Sequence, residues 1–432
     1  MRKVHFATLG CKTNQYETQA MREKFLKAGF IETSDPKDAD LFVVNTCTVT
    51  GDGDRKSRSV IRRFHRNNPA ASIAVTGCYA TLNRSEILKL PGVDFVVPNQ
   101  QKDHIVDHLS LETKGRFCGE GDESTGNRYT DLSISYFADH ARAFVKIQDG
   151  CDHACTYCKV VLVRGSSRSR NLEDVIEEAQ RLRDAGYKEL VLTGIQLGAY
   201  GDEWGNGKNL VSILEKLTEI SGLVRIRLSS IDPSDVTEEL IELMKSRPQI
   251  CRHLHLPLQS GDDEILKKMR RAYRKDRYLQ IVKRLKDVMP EFSLTTDVMV
   301  GFPGEEEKHF QNTVDLLRQV LPLKAHIFPF SPREGTRAAQ FEDQVDQGLI
   351  RERVARLQEV CEDMAQKCQR VFIGRVGEVL VENSEQPDMA EGHTSNYLKV
   401  RFQKGSLKRG DLVSVCLDEL RADYFLGRIV TN

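Results

Sequence analysis

The chain has 432 residues, 63 Lys plus Arg against 63 Asp plus Glu, and 40% apolar residues. That length exceeds one ordinary domain and predicts two or three. The balanced charge excludes recognition of a polyanion through net charge, leaving only local basic patches for that task.

No apolar run approaches the ~18 residues of a membrane helix. The start, MRKVHFATLGCKTNQ, turns polar too early for a signal peptide. A cytoplasmic location with no membrane partner is therefore expected. There, 11 cysteines point to metal or redox chemistry rather than to a disulfide framework.

In chain order, residues 1–125 hold three short apolar runs, VHFATLG (4–10), DLFVVNT (40–46) and SIAVTG (72–77). Each suits a buried strand. Helical patterns at 17–29 and 55–66 lie between them, which predicts a parallel α/β sandwich with crossover helices. Cys11, Cys47 and Cys78 each directly follow a run. All three thus fall at carboxyl ends of strands, the edge of a parallel sheet where ligands bind. The shared position favours a three-thiolate site over independent core cysteines. Residues 112–135 are polar and rich in Gly, Ser and Asp and read as a linker, with Cys118 incidental.

Strands are predicted at 143–148, 189–194, 225–230, 253–258, 293–301 and 324–330, with amphipathic helices between them. Six β/α repeats within 137–366 suggest a partial (β/α)6 barrel of the TIM type. GCDHACTYC (150–158) places Cys151, Cys155 and Cys158 just after the first barrel strand, at the catalytic face. Three thiolates leave one iron of a four-iron cube without a protein ligand. Structural zinc would want a closed set of four, and His153, between the first two cysteines, is awkwardly placed to supply it. Residues 370–432 alternate apolar and polar in four runs, 374–382, 396–403, 411–419 and 424–430, as in a small antiparallel β-barrel. Cys251, Cys361, Cys368 and Cys416 read as core.

CDHACTYC resembles the CxxxCxxC loop of radical S-adenosylmethionine enzymes. The whole chain resembles the methylthiotransferase family. TLGCKTNQYET, VVNTCTVT and VTGCYA are similar to its three amino-terminal cysteine motifs. VKIQDGCDHACTYC, LTGIQLG, HLHLPLQSG, TTDVMVGFPGE and FPFSPREGT are similar to its barrel motifs. The resemblance implies an amino-terminal domain over 1–125 with an auxiliary cluster, a radical domain over 137–366, and a TRAM RNA-binding domain over 370–432. One departure is Val161, where the family often has proline.

GCKTNQYE and FSPREGT look most like the branch acting on N6-threonylcarbamoyladenosine beside the anticodon of tRNA. The isopentenyladenosine and ribosomal-protein branches are the alternatives, and a non-catalytic iron–sulfur RNA-binding or electron-transfer protein is the alternative from another class. The resemblance implies two 4Fe-4S clusters, on Cys11, Cys47 and Cys78 and on Cys151, Cys155 and Cys158. It also implies S-adenosylmethionine, a tRNA anticodon stem-loop, an electron donor and a sulfur donor. One S-adenosylmethionine would methylate a sulfur on the auxiliary cluster. A second, cleaved at the other cluster, would give the radical that removes hydrogen from C2 of the adenine.

Expected S-adenosylmethionine contacts are Tyr157, beside the adenine, Thr193 and Gly194, at the methionine end, and the polar Ser229, Gln259 and Asp297. Expected RNA contacts are Arg55, Lys56, Arg62 and Arg63 in RKSRSVIRRFHR, then Arg164, Arg168 and Arg170 in RGSSRSR. Lys399, Arg401, Lys404, Lys408 and Arg409 of the last domain complete the set.

Overall fold

The structure is a computed structural model. It describes residues 1–48, 51–110, 117–118, 129–382 and 388–430. The chain forms two compact units. The first comprises residues 1–138, 148–170 and 333–336; the second comprises 139–147, 171–332 and 337–432.

The first unit is built on a parallel sheet. Its strands are β1 (Lys3–Thr8), β2 (Ile31–Glu32), β3 (Leu41–Thr46), β4 (Ser72–Gly77), β5 (Val93–Val97) and β6 (Phe117–Cys118). They lie in the order β2-β1-β3-β4-β5-β6. Every residue of central β3 is buried, which is why its sequence is a continuous apolar run. Its side chains still alternate. Phe42 and Val44 pack with Ile61 and Phe64 of α2 (Gly51–Asn67). Leu41 and Val43 pack with Met21 and Phe25 of α1 (Lys12–Lys27) on the other face. β1 and β3 therefore send the chain to opposite faces, and the crevice at such a reversal is where ligands sit. The three expected strands are present as β1, β3 and β4. β2, at two residues, is too short to carry a pattern, and β5 is interrupted by Asp94.

β7 (Ala143–Lys146) belongs to the second unit; β8 (Gln148–Asp149) and β9 (Arg168–Ser169) form an antiparallel pair in the first. The second unit continues with β10 (Glu189–Thr193), β11 (Arg225–Leu228), β12 (His253–His255), β13 (Ser293–Val300) and β14 (Lys324–Pro329). β7, β10 and β11 pair in parallel, as do β12, β13 and β14. Parallel bridges Ile226–Ile250 and Ser230–His255 join the two sets. The result is the expected six-stranded partial barrel.

The carboxyl-terminal strands are β15 (Val376–Glu382), β16 (Met389–Thr394), β17 (Lys399–Gln403), β18 (Leu412–Leu420) and β19 (Phe425–Ile429). They close in the order β15-β16-β17-β19-β18 around Val379, Val400, Phe402, Val415 and Phe425. Closure leaves no unpaired sheet edge. β16, MAEGHT, is the strand the apolar pattern missed. Its Gly392 is required by a close approach: a Cβ there would lie 1.9 Å from the Leu380 carbonyl oxygen.

Within the second unit this small barrel docks through charge at the amino ends of β10 and β11. Glu189 accepts from Arg227 at 2.7 Å and pairs with Arg225 and Arg142. Burial opposes its charge, but Arg227 and Arg142 outweigh burial and hold its carboxyl down to about 2. Arg227 also donates to the carbonyls of Thr394 and Ser395 at 3.1 and 3.0 Å, and its guanidinium lies over the Tyr397 ring.

Candidate metal and cofactor site

Cys11, Cys47 and Cys78 leave β1, β3 and β4, three neighbouring strands, at the same edge of the sheet. Side chains staple the three exits together. The Asn14 amide donates to the carbonyls of Leu9, 2.7 Å, and Thr46, 3.0 Å. Thr46 Oγ1 donates to the Thr76 carbonyl at 2.5 Å and accepts from the Ala80 N–H at 3.2 Å. Two glycines leave room for the turns. A Cβ on Gly10 would stand 3.0 Å from Cys47 Sγ, so Cys47 reaches the residue beside Cys11. Gly77, at φ +99°, has the Thr46 carbonyl oxygen 2.3 Å from where a Cβ would be.

The CxxxCxxC loop lies in the same unit. Gly150, at φ +72°, makes the turn into it, with the Ser166 carbonyl oxygen 1.9 Å from a notional Cβ. Gln148 clamps the loop by donating to the carbonyls of Asp149 and Gly150, 3.0 and 2.9 Å, and to Ser167 Oγ, 2.9 Å. Backbone N–H groups already point at sulfur: His153 at Cys151 Sγ and Val160 at Cys158 Sγ, each 3.4 Å. Burial pushes the Cys151 thiol up to about 12, so ligation there needs a metal to displace the proton.

Among the described residues, no three cysteine sulfurs lie within 4.8 Å of one another. Sets of three thiols, in place of the closed four of structural zinc, suit a multi-iron centre with one iron left for another ligand.

Arg164, Arg168 and Arg170 are not an RNA surface, contrary to expectation. All three are buried. Arg164 donates to Glu17 Oε1 at 2.8 Å, Asp149 Oδ1 at 2.9 Å and Asn14 Oδ1 at 2.8 Å. Arg168 pairs with Asp149 Oδ2 at 3.3 Å, and Arg170 donates to the Tyr16 hydroxyl at 3.3 Å. Buried Lys102 adds an ion pair with Glu17. This network ties the helix following Cys11 to the segment following Cys158. Arg333, from FSPREGT, performs a similar task by donating to the Thr48 carbonyl at 2.9 Å and to Asp54 at 2.6 Å. Of these partners, Glu17, Asn14, Lys102 and Asp149 escaped the sequence reading, which held no signal beyond an unusual density of polar residues in a buried helix.

In the second unit, Thr193, Gly194 and Ser229 lie at or just after barrel strand ends, whereas Asp297 lies within β13. Thr193 closes β10 and its carbonyl accepts from the Ile147 N–H at 3.0 Å; Gly194 follows, half-buried. Ser229 Oγ is buried and has no hydrogen-bond partner among the described residues, an arrangement that suits a polar ligand. Gln259 sits at φ +62°, strained for a side-chain-bearing residue. It is held there by hydrogen bonds to Asp297 O and from Met299 N, 2.8 and 2.9 Å. Asp297 pairs with His255 Nε2 at 3.2 Å, and His255 Nδ1 meets Thr295 Oγ1 at 2.9 Å. Tyr157 stays with the cysteine loop in the first unit, half-buried.

On α2, Arg55, Lys56, Arg62 and Arg63 are exposed opposite the buried Ser57, Ile61 and Phe64. Arg55 pairs with Asp52 at 2.8 Å. On the small barrel, Lys399 and Arg401 both pair with Glu391, at 3.3 and 2.7 Å, which cancels part of their charge. Lys408 and Arg409 are exposed, and Lys404 is half-buried.

Residues 145–317 match the model of the radical SAM superfamily, and residues 3–98 match an uncharacterized protein family, UPF0004. A radical S-adenosylmethionine methyltransferase, TsrM from Kitasatospora setae, shares the fold with a TM-score of 0.57 at 14% identity, over 76% of this chain and 73% of that one. Barrel, cysteine loop and superfamily match define a radical S-adenosylmethionine enzyme.

The chain is 41% identical to the threonylcarbamoyladenosine tRNA methylthiotransferase MtaB of Bacillus subtilis, over 100% of this chain and 97% of the relative. It is 38% identical to the protein of that name from Thermotoga maritima, over 99% of both. With a tRNA-2-methylthio-N(6)-dimethylallyladenosine synthase of Alkaliphilus oremlandii it shares 33%, over 99% of this chain and 93% of the relative. It belongs to the methylthiotransferase family of radical S-adenosylmethionine enzymes. That membership implies a 4Fe-4S cluster and S-adenosylmethionine, which the CxxxCxxC thiols and the unpartnered Ser229 hydroxyl fit.

Proposed function

We propose that this enzyme adds a methylthio group to C2 of N6-threonylcarbamoyladenosine, next to the anticodon of tRNA. The carrying observation is the convergence of Cys11, Cys47 and Cys78 on one sheet edge, in the unit that also holds the CxxxCxxC loop. Those three thiols would hold a second, auxiliary 4Fe-4S cluster, which would give sulfur transfer its own centre. The named substrate of the relatives at 38–41% identity supports the threonylcarbamoyl branch over the dimethylallyl branch, at 33%.

Bound cluster and S-adenosylmethionine supply a carbon radical, which the reaction requires because a C2 hydrogen is not acidic enough for any side-chain base. The chain's own residues bind and orient. Cys151, Cys155 and Cys158 would hold the radical cluster. Ser229, Thr193 and Gly194 meet the cofactor's polar groups, while Asp297, fixed by His255, offers an acceptor. The buried Arg164–Glu17–Lys102 network keeps the two cysteine loops in a constant relation. Exposed α2 cations and the small carboxyl-terminal barrel hold RNA phosphates, and a loop adenine can be splayed from its stack at modest cost.

The test is incubation of anaerobically reconstituted protein with S-adenosylmethionine, reductant, a sulfur source and tRNA carrying either threonylcarbamoyl- or isopentenyladenosine, followed by nucleoside mass spectrometry. Methylthiolation of the former alone is expected. Equal or preferred modification of isopentenyladenosine overturns the substrate. Methylthiolation that survives replacement of Cys11, Cys47 and Cys78 by alanine overturns the auxiliary centre.

A further inference from the structure

We propose that Asn99 is a positioning residue of the auxiliary centre, whose side-chain amide donates a hydrogen bond to the Cys78 thiolate and raises the reduction potential of the cluster held there. The inference rests on the reading of Cys11, Cys47 and Cys78 as cluster ligands.

Asn99 Nδ2 lies 3.7 Å from Cys78 Sγ and 3.1 Å from the Val163 carbonyl oxygen. That carbonyl can only accept, so it fixes which end of the amide faces the sulfur. The other end, Oδ1, is buried with no hydrogen-bond partner among the described residues. Leaving that acceptor unmet costs free energy, and a residue that served only to fill space would not carry the cost. The backbone is placed with equal care. Pro98 precedes Asn99, and the Asn99 N–H donates to Thr81 Oγ1 at 3.1 Å. Thr81 Oγ1 donates in turn to the Gly77 carbonyl at 3.0 Å. Asn99 is thus bonded to the short helix that begins at Cys78 and to the segment that follows Cys158. A donor to a ligand sulfur draws electron density from the cluster and favours its reduced state.

The test uses the full-length chain with Cys151, Cys155 and Cys158 replaced by alanine, so that any cluster present is the auxiliary one. Its midpoint potential is read by a redox titration followed by electron paramagnetic resonance. Asn99→Asp removes the donor at nearly constant volume, and Asn99→Leu removes it while keeping the same heavy-atom branching. Each is expected to keep its iron and to disfavour reduction by about tenfold, 59 mV for a one-electron couple, with Asp the larger. Unchanged potentials at full iron content overturn the proposal. Loss of iron from both variants, with iron retained when Asn99 is present, marks Asn99 as merely structural and also overturns it. Absence of iron even with Asn99 intact removes the auxiliary centre itself, which separates that failure from the other two.

Discussion

Arg164 and Glu17, 147 positions apart in sequence, meet as a buried ion pair at 2.8 Å. The guanidinium also serves Asp149 and Asn14, so one side chain satisfies groups on both cysteine-bearing segments. Removing it alone takes one cationic partner from each of two buried carboxylates, leaving Lys102 to Glu17 and Arg168 to Asp149. Arg164→Met is expected to destabilise the first unit by about 3–5 kcal/mol, measured by denaturant unfolding. The double variant Arg164→Met with Glu17→Gln should cost less than the two single changes summed. Strict additivity would mean the pair does not act as a unit.

The second unit carries a pH signal at His393. Burial, then repulsion from Arg142 and Arg227, holds its ring down to about 3, although Glu189 and Glu391 pull the other way and Glu382 meets Nδ1 at 2.8 Å. In an unfolded chain the ring titrates near about 6.5. Between these values the unfolded chain takes up a proton that the folded chain refuses. Stability from this group is therefore complete above about 6.5 and declines as pH falls toward 3. His393→Asn should flatten the fall in melting temperature between about pH 6.5 and 4.5. Identical slopes for the two proteins would contradict the assignment.

Ser229 offers opposite effects on the free and the loaded enzyme. Its buried hydroxyl lacks a protein partner among the described residues, so Ser229→Ala removes an uncompensated polar group and should raise thermal stability of the free protein slightly, by about 1 kcal/mol. On the proposed contact with S-adenosylmethionine, the same change should weaken cofactor binding roughly tenfold, about 1.4 kcal/mol. Calorimetric titration and melting curves read both. Unchanged affinity would remove Ser229 from the cofactor contacts.

The exposed cations of α2 predict a salt dependence. If Arg62 and Arg63 contact phosphates, Arg62→Ala with Arg63→Ala should weaken tRNA binding at every salt concentration. It should also reduce the slope of log affinity against log salt by about 0.7–0.9 per lost contact. Binding measured from low to moderate salt decides this; a slope equal to that of the unaltered protein would leave α2 a solvated face.

The cysteines show how far local pattern reaches. Cys11, Cys47 and Cys78 each follow an apolar run, and that adjacency alone set them at strand ends. Whether the strands are neighbours depends on pairing, and the sheet places β1, β3 and β4 side by side. RGSSRSR shows the opposite case. Its basic composition looks like an RNA-facing loop, yet Arg164 finds Glu17 and Arg168 finds Asp149. A guanidinium in a sequence carries no mark of its distant partner.

By itself, then, the sequence determined element types, the thiol positions and the family to which they belong. These follow from short-range periodicity and from motifs whose chemistry needs contiguous residues. Only tertiary structure decided which charges are spent inside the protein, that Asn99 faces Cys78, and that a polar segment with Gly392 completes the small barrel. Those outcomes arise from contacts between residues tens to hundreds of positions apart, and close packing selects them only once the whole chain has folded.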